Sequence, residues 1–157
     1  MVKKLSIVFN LICSSLVLLL PLVLYLKTGT LEKSLSTYYG TSAEGILTYS
    51  LLIVAMSFIL NENMTSGLLL IGVALFDTYQ YPMIHNLLAY TFFIHATYKI
   101  ITDKRYRFIG IPMVLFAFLI PVITFYWYEV IALGCLALHG FLYSLKRLKI
   151  EMKMTLI

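Results

Sequence analysis

LSIVFNLICSSLVLLLPLVLYL, residues 5–26, runs for 22 positions without a charged side chain. A helix that crosses a membrane needs about 20 mostly apolar residues, so this stretch is long enough to span the hydrocarbon core alone. Lys3 and Lys4 precede it and a cysteine stands at position 13, an arrangement shared with export signals. Its apolar part, however, exceeds the roughly 7–15 residues of such a signal. No small-x-small site follows, and Asn10-Leu11-Ile12 ahead of Cys13 is a poor lipoprotein box. The segment therefore reads as a true membrane span.

The rest of the chain repeats the pattern. Apolar runs at 45–60, 64–79, 84–101, 108–125 and 127–145 are separated by Asn61-Glu62-Asn63, Gln80-Tyr81-Pro82 and Asp103-Lys104-Arg105, and closed by Lys146-Arg147-Leu148-Lys149. The second and third runs are near the lower length limit, so they are expected to sit inside the bundle or to thin the bilayer. Composition agrees: 61% of residues are hydrophobic and 12% charged, against about 25% charged in a soluble domain. That excludes a disordered chain, a collagen-like repeat, a disulfide scaffold and a conventional soluble enzyme. The expected fold class is all-α: one polytopic transmembrane domain over residues 1–157, six helices in one bundle, spans near 5–26, 45–60, 64–79, 84–101, 108–125 and 127–145.

Charge sets the expected topology, because cytoplasmic loops are enriched in Lys and Arg. With both termini cytoplasmic, six spans put Lys3, Lys4, Lys99, Lys104, Arg105, Arg107, Lys146, Arg147, Lys149 and Lys153 inside and leave only Lys27 and Lys33 outside. Five or seven spans would place the Arg105 cluster and the basic tail on opposite sides. The net charge of +5 is thus a topology signal and needs no nucleic-acid partner to explain it. Tyr38, Tyr39, Tyr79, Tyr81, Tyr126, Trp127 and Tyr128 fall at outer helix ends and are expected to form an interfacial belt. Pro21, Pro112 and Pro121 lie within spans, where they are positioned to bend the helices.

Ionisable side chains in a membrane suggest function by default, and here they form two groups. The outer one holds Glu44, Asp77, His85 and Glu129, with Ser50 just inside span two. Carboxylates and imidazole both supply lone pairs for a metal or a shared proton. Asp77 and His85 are the leading metal ligands, with Glu129 or Glu44 as a third. The simpler use of the same residues is as polar groups at helix ends, where they cost least. The inner group is His95 and His139, at about the same depth by helical rise, a pair suited to a bis-His haem b or to interhelical hydrogen bonds. Cys13 and Cys135 lie in apolar surroundings and read as packed thiols. No P-loop, GxGxxG, HExxH or GxSxG pattern occurs, which removes the motif-bearing nucleotide and ester hydrolases.

The stretch Ser34-Leu35-Ser36-Thr37-Tyr38-Tyr39-Gly40-Thr41 leading into Gly45-Ile46-Leu47, with Ala74-Leu75-Phe76-Asp77 and Ile84-His85-Asn86, resembles a group of small six-span bacterial membrane proteins similar to the DRAM autophagy-modulator family. The resemblance implies the fold and carries no agreed reaction. More weakly, Ser50, Asp77 and His85 resemble the Ser, Asp and His sets of membrane-embedded ceramidase and adiponectin-receptor-like hydrolases, which work around zinc. This chain lacks their HxxxH pair, and catalytic zinc normally takes three protein ligands and a water.

Three functions follow as expectations. The first is a non-enzymatic lipid-binding or protein-interaction role at the outer face of the bacterial cytoplasmic membrane, with membrane lipids, a second copy or another membrane protein as partner. The second is a metal-dependent lipid hydrolase with Asp77 and His85 as zinc ligands and Ser50 orienting water or substrate. The third is a haem electron-transfer protein built on His95 and His139. Transport, a fourth class, finds no inverted repeat in the sequence to support it.

Overall fold

Apolar residues three and four apart give the first run a helical stripe, and the chain folds accordingly. The computed structural model describes residues 2–119 and 125–154; among them every regular element is helical. Helix α1 (Val2–Thr28) buries Ile7, Cys13, Val17, Leu20 and Leu24, the one face that a 3.6-residue period brings together. A loop with a 3-10 segment (Leu35–Gly40) follows. Then come α2 (Glu44–Leu60), α3 (Met64–Leu75), α4 (Pro82–Thr102), α5 (Arg107–Phe118) and α6 (Phe125–Met154).

Each helix packs on its chain neighbours and α6 returns to α1, so the six close a ring in chain order. Their direction alternates. At one end Ser6, near the start of α1, bonds the Leu60 carbonyl at the end of α2, and Arg147 reaches Asn61. At the other, the Tyr126 amide donates to the Lys33 carbonyl and the Tyr39 hydroxyl to the Val73 carbonyl. All ten cationic residues assigned inside by the sequence stand in or beside the helix termini of the first end, and Lys27 and Lys33 stand at the second. We call these the basic end and the loop end.

Close crossings depend on small residues. A Cβ on Gly67 of α3 would lie 2.5 Å from Ile59 Cγ1 and 2.9 Å from the Ala55 carbonyl oxygen of α2, and one on Gly140 of α6 would lie 2.7 Å from Ser14 Oγ of α1.

Polarity is arranged inside out. The buried polar residues Ser14, Ser50, Ser57, Ser66, His85, Glu129 and Ser144 face the interior, whereas Val8, Ile12, Leu18, Ile53, Leu68, Leu87, Ile94, Phe108, Leu115 and Leu138 are exposed. Among the described residues, two helices contain segments long and apolar enough to cross a membrane, Leu5–Thr28 and Phe125–Met152. Helices α2, α3 and α5 are apolar but shorter.

Four sequence expectations differ from the structure. The third run was expected to be a span through residue 79, but α3 ends at Leu75 because Asp77 Oδ1 accepts the Tyr79 and Gln80 amides at 2.8 and 2.7 Å. This is a side-chain turn that competes with the helix ladder. The fifth helix stops at Phe118, and Pro121 with residues 120–124 of the expected span lies outside the described residues. The aromatic belt divides: Tyr79, Tyr81 and Trp127 are exposed, whereas Tyr38, Tyr39, Tyr126 and Tyr128 are buried and plug the loop end. The basic cluster 146–149, read as the close of the last span, continues α6 as helix.

Candidate functional site

Two polar centres form inside the ring, one near each end. At the loop end, His85 near the start of α4 is 1% exposed and Glu129 near the start of α6 is 4% exposed. Ser36, in the 3-10 segment, stands between them. His85 Nε2 lies 2.9 Å from Ser36 Oγ, and Ser36 Oγ lies 3.4 Å from Glu129 Oε1. The Leu35 amide donates to Glu129 Oε2 at 2.6 Å.

Proton counting defines the states of this chain. The Phe76 carbonyl, 2.6 Å from His85 Nδ1, can only accept, so Nδ1 carries a hydrogen. A serine hydroxyl donates once. Either Ser36 donates to Glu129 and receives from an imidazolium, or it donates to a neutral imidazole and receives from a protonated carboxyl. The centre is electrically neutral in both states, which suits burial. The void beside it measures about 40 Å³, against the roughly 10–15 Å³ that one water needs. Ser36 and His85 are at dyad distance, and with Glu129 they form a brace that fastens the loop to α4 and α6. Burial also pushes the Tyr39 phenol above its ordinary value, keeping its proton for Val73.

The other outer candidates lie apart from it. Asp77 caps its own turn, and Glu44 is in the first turn of α2, exposed, where a carboxylate favours the helix dipole. Ser50 lines the larger cavity, His85 the smaller, and Asp77 neither. Among the described residues no three His, Cys, Asp or Glu side chains are grouped to hold a metal, so the donor set does not fit catalytic zinc. Because Asp77 only caps a turn, Asp77→Ala is expected to cost about 1 kcal/mol, the usual worth of a side-chain cap, read as a small drop in melting temperature of detergent-purified protein.

The larger cavity, about 230 Å³, lies inside the ring. Its wall is apolar at Leu20, Leu51, Leu70, Phe92 and Leu133 and polar toward the basic end, at Asn10, Asn61, Asn63, Lys99, His139 and Tyr143. Ser57 Oγ donates to Asn10 Oδ1 at 2.7 Å, and Asn10 Nδ2 donates to Ser144 Oγ at 2.6 Å, tying α2, α1 and α6 together. Two buried atoms of residues that line it, Asn63 Oδ1 and His139 Nε2, have no hydrogen-bond partner among the described residues. Asp103 Oδ2 stands 3.9 Å from His139 Nε2, within reach of a charge contact and too far for a hydrogen bond. His95 instead pairs its Nδ1 with Ser66 Oγ at 3.0 Å and lines neither cavity. The two imidazoles thus share no void, and the pair does not fit a bis-His haem.

Ser36, Asn10, Ser57 and Asn63 carry much of this polar interior, and reading the sequence for ionisable groups passed over all four. For Asn10 a signal existed, as the one amide in the first apolar run; for Ser36, in a loop rich in Ser and Thr, none did.

Compared with known proteins, the chain matches no family model, no curated protein and no solved structure. Fold and site define a class: an all-helical ring, two of its helices long and apolar enough to cross a membrane, around a cavity that is polar at one end.

Proposed function

We propose that this chain is a multi-pass protein of the bacterial cytoplasmic membrane, crossing it six times with both termini inside, and that it binds lipid without transforming it. The observation that carries the reading is the inside-out polarity: exposed aliphatic side chains cover all six helices while Ser, His and Glu are buried among them. In water, so large an apolar surface would be an aggregation liability. The gathering of cationic residues at one end supports the same orientation. At 1.5 Å per residue α3 and α5 reach only about 18 Å, so the bilayer thins around them or meets the loops. The resemblance of residues 34–41 to six-span bacterial proteins agrees with this layout.

The sequence placed lipid or partner binding at the outer face. His85, Ser36 and Glu129 are spent on one another at the loop end, so the reading moves the ligand into the larger cavity, whose apolar wall and polar end match an amphiphile. Native mass spectrometry of gently extracted protein tests it. One lipid-mass adduct is expected to persist at activation that strips loosely held lipid, and Val54→Trp, which fills the cavity wall, is expected to lose it. Absence of any retained adduct would remove the lipid-binding reading, and turnover of that lipid by purified protein would overturn its non-enzymatic part.

A further inference from the structure

The proposal that the larger cavity holds lipid leaves open which lipid, and the place and charge of its mouth narrow the choice. Its apolar wall residues Leu20, Leu51, Leu70, Phe92 and Leu133 are buried. Among the described residues that line it, only Lys99 on α4 and Tyr143 on α6 are exposed. Both stand toward the basic end, so the cavity opens there. Along α6 its wall runs from Leu133 to Tyr143, about 15 Å by helical rise, which is half of the roughly 30 Å hydrocarbon core. With the basic end cytoplasmic, a lipid of the inner leaflet fits this cavity in its ordinary orientation, its head at the mouth and an acyl chain pointing to the bilayer centre.

Charge sets the head. Lys99 has no hydrogen bond or ion pair among the described residues. Arg147, one turn beyond Tyr143, lies 5.7 Å from the Tyr143 ring centroid and donates from Nη1 to Asn61 Oδ1 at 3.2 Å; Tyr143 and Asn61 both line the cavity. A guanidinium has five N–H donors, so the bond to Asn61 leaves others for a ligand. Carboxylates are the minority at this end, where Glu62, Asp103 and Glu151 stand with the ten cations, and Asp103 Oδ2 is 3.9 Å from His139 Nε2. Basic pockets between transmembrane helices on the cytoplasmic side suit anionic lipid heads. We infer that the cavity holds an acyl chain of an anionic phospholipid of the cytoplasmic leaflet, its phosphate at the mouth beside Lys99 and Arg147.

This inference rests on the lipid-binding reading, and the experiment separates the two. Full-length protein in phosphatidylcholine nanodiscs is given equal amounts of oleoyl lysophosphatidylglycerol and oleoyl lysophosphatidylcholine, which share a chain and differ in net head charge, and the retained adducts are compared by native mass spectrometry. Wild type is expected to retain the anionic probe at least about fivefold over the zwitterionic one, the worth of about one cation near a membrane surface. Lys99→Gln and Arg147→Gln are each expected to lower that ratio severalfold, and Lys99→Arg to keep it. Lys104→Gln, which removes an exposed cation of the same end that does not line the cavity, is expected to leave it unchanged. Val54→Trp is expected to retain neither probe. A ratio near one, an equal drop in Lys104→Gln and Lys99→Gln, or retention of the host phosphatidylcholine in place of both probes overturns the head-group assignment and leaves the lipid-binding reading standing. Retention of no lipid by wild type overturns both. Should a glutamine variant fail to fold, the wild-type ratio and its fall at raised salt, which screens a charged head, decide.

Discussion

Replacing Glu129 by alanine is expected to lower stability by about 2–3 kcal/mol, the cost of stranding buried partners of an ionisable group. The Leu35 amide, 2.6 Å from Oε2, would lose its acceptor, and Ser36 would lose its contact with the carboxyl. In a chain of this size about 1 kcal/mol moves the midpoint by roughly 2–4 °C, so a fall of about 4–12 °C is expected in a thermal scan followed by size-exclusion fluorescence. Glu129→Gln provides the control. Its amide oxygen still accepts from Leu35 and its NH₂ donates to Ser36, which then donates to neutral His85, so every atom stays satisfied. A glutamine variant as unstable as the alanine one would mean that the brace needs the carboxyl proton and not only the geometry.

Gly67→Leu is expected to be the most damaging single change in the ring. A Cβ there meets Ile59 Cγ1 at 2.5 Å and the Ala55 carbonyl oxygen at 2.9 Å; a backbone oxygen cannot rotate away as a side-chain tip can. Overpacking of this kind typically costs about 1–3 kcal/mol, and a whole leucine between two backbones exceeds that range. The variant should fail to give a monodisperse peak after extraction. Gly134 on α6 makes the contrast, because a Cβ built there meets nothing within 4 Å. Gly134→Ala should gain up to about 1 kcal/mol from helix propensity. If both glycines tolerate substitution equally, α2 and α3 do not pack at the distance described.

How much of this was legible beforehand follows from what each feature depends on. The starts of α2 and α3 fall within a residue of the sequence reading, because apolar runs and the Asn61-Glu62-Asn63 turn are local signals. The end of α3 was missed by four residues, since one carboxylate, Asp77, chose to cap amides that hydropathy alone would have left in a helix. Pairing of His85 with Glu129 was beyond any spacing argument: 44 positions separate them in the chain, and only closure of the ring brings α4 and α6 to the same loop. The equal depth read for His95 and His139 did not make them partners, because the direction in which each ring points depends on helix rotation. Buried Tyr38 and Tyr126 show the same limit, as an aromatic at a helix end serves the interface or the plug according to which face it occupies.

Crossing the membrane six times is the claim on which the rest depends, and cysteine labelling in intact cells tests it most directly. With Cys13 and Cys135 replaced by alanine, single cysteines are placed at the exposed positions Ser42, Glu62, Tyr79 and Lys104 and treated with a membrane-impermeant maleimide. Ser42→Cys and Tyr79→Cys should label at once, and Glu62→Cys and Lys104→Cys only after the membrane is permeabilised. Labelling of both Ser42→Cys and Glu62→Cys in intact cells would contradict the account, because the two ends of α2 would then lie on one side of the membrane and the ring could not be a six-span bundle.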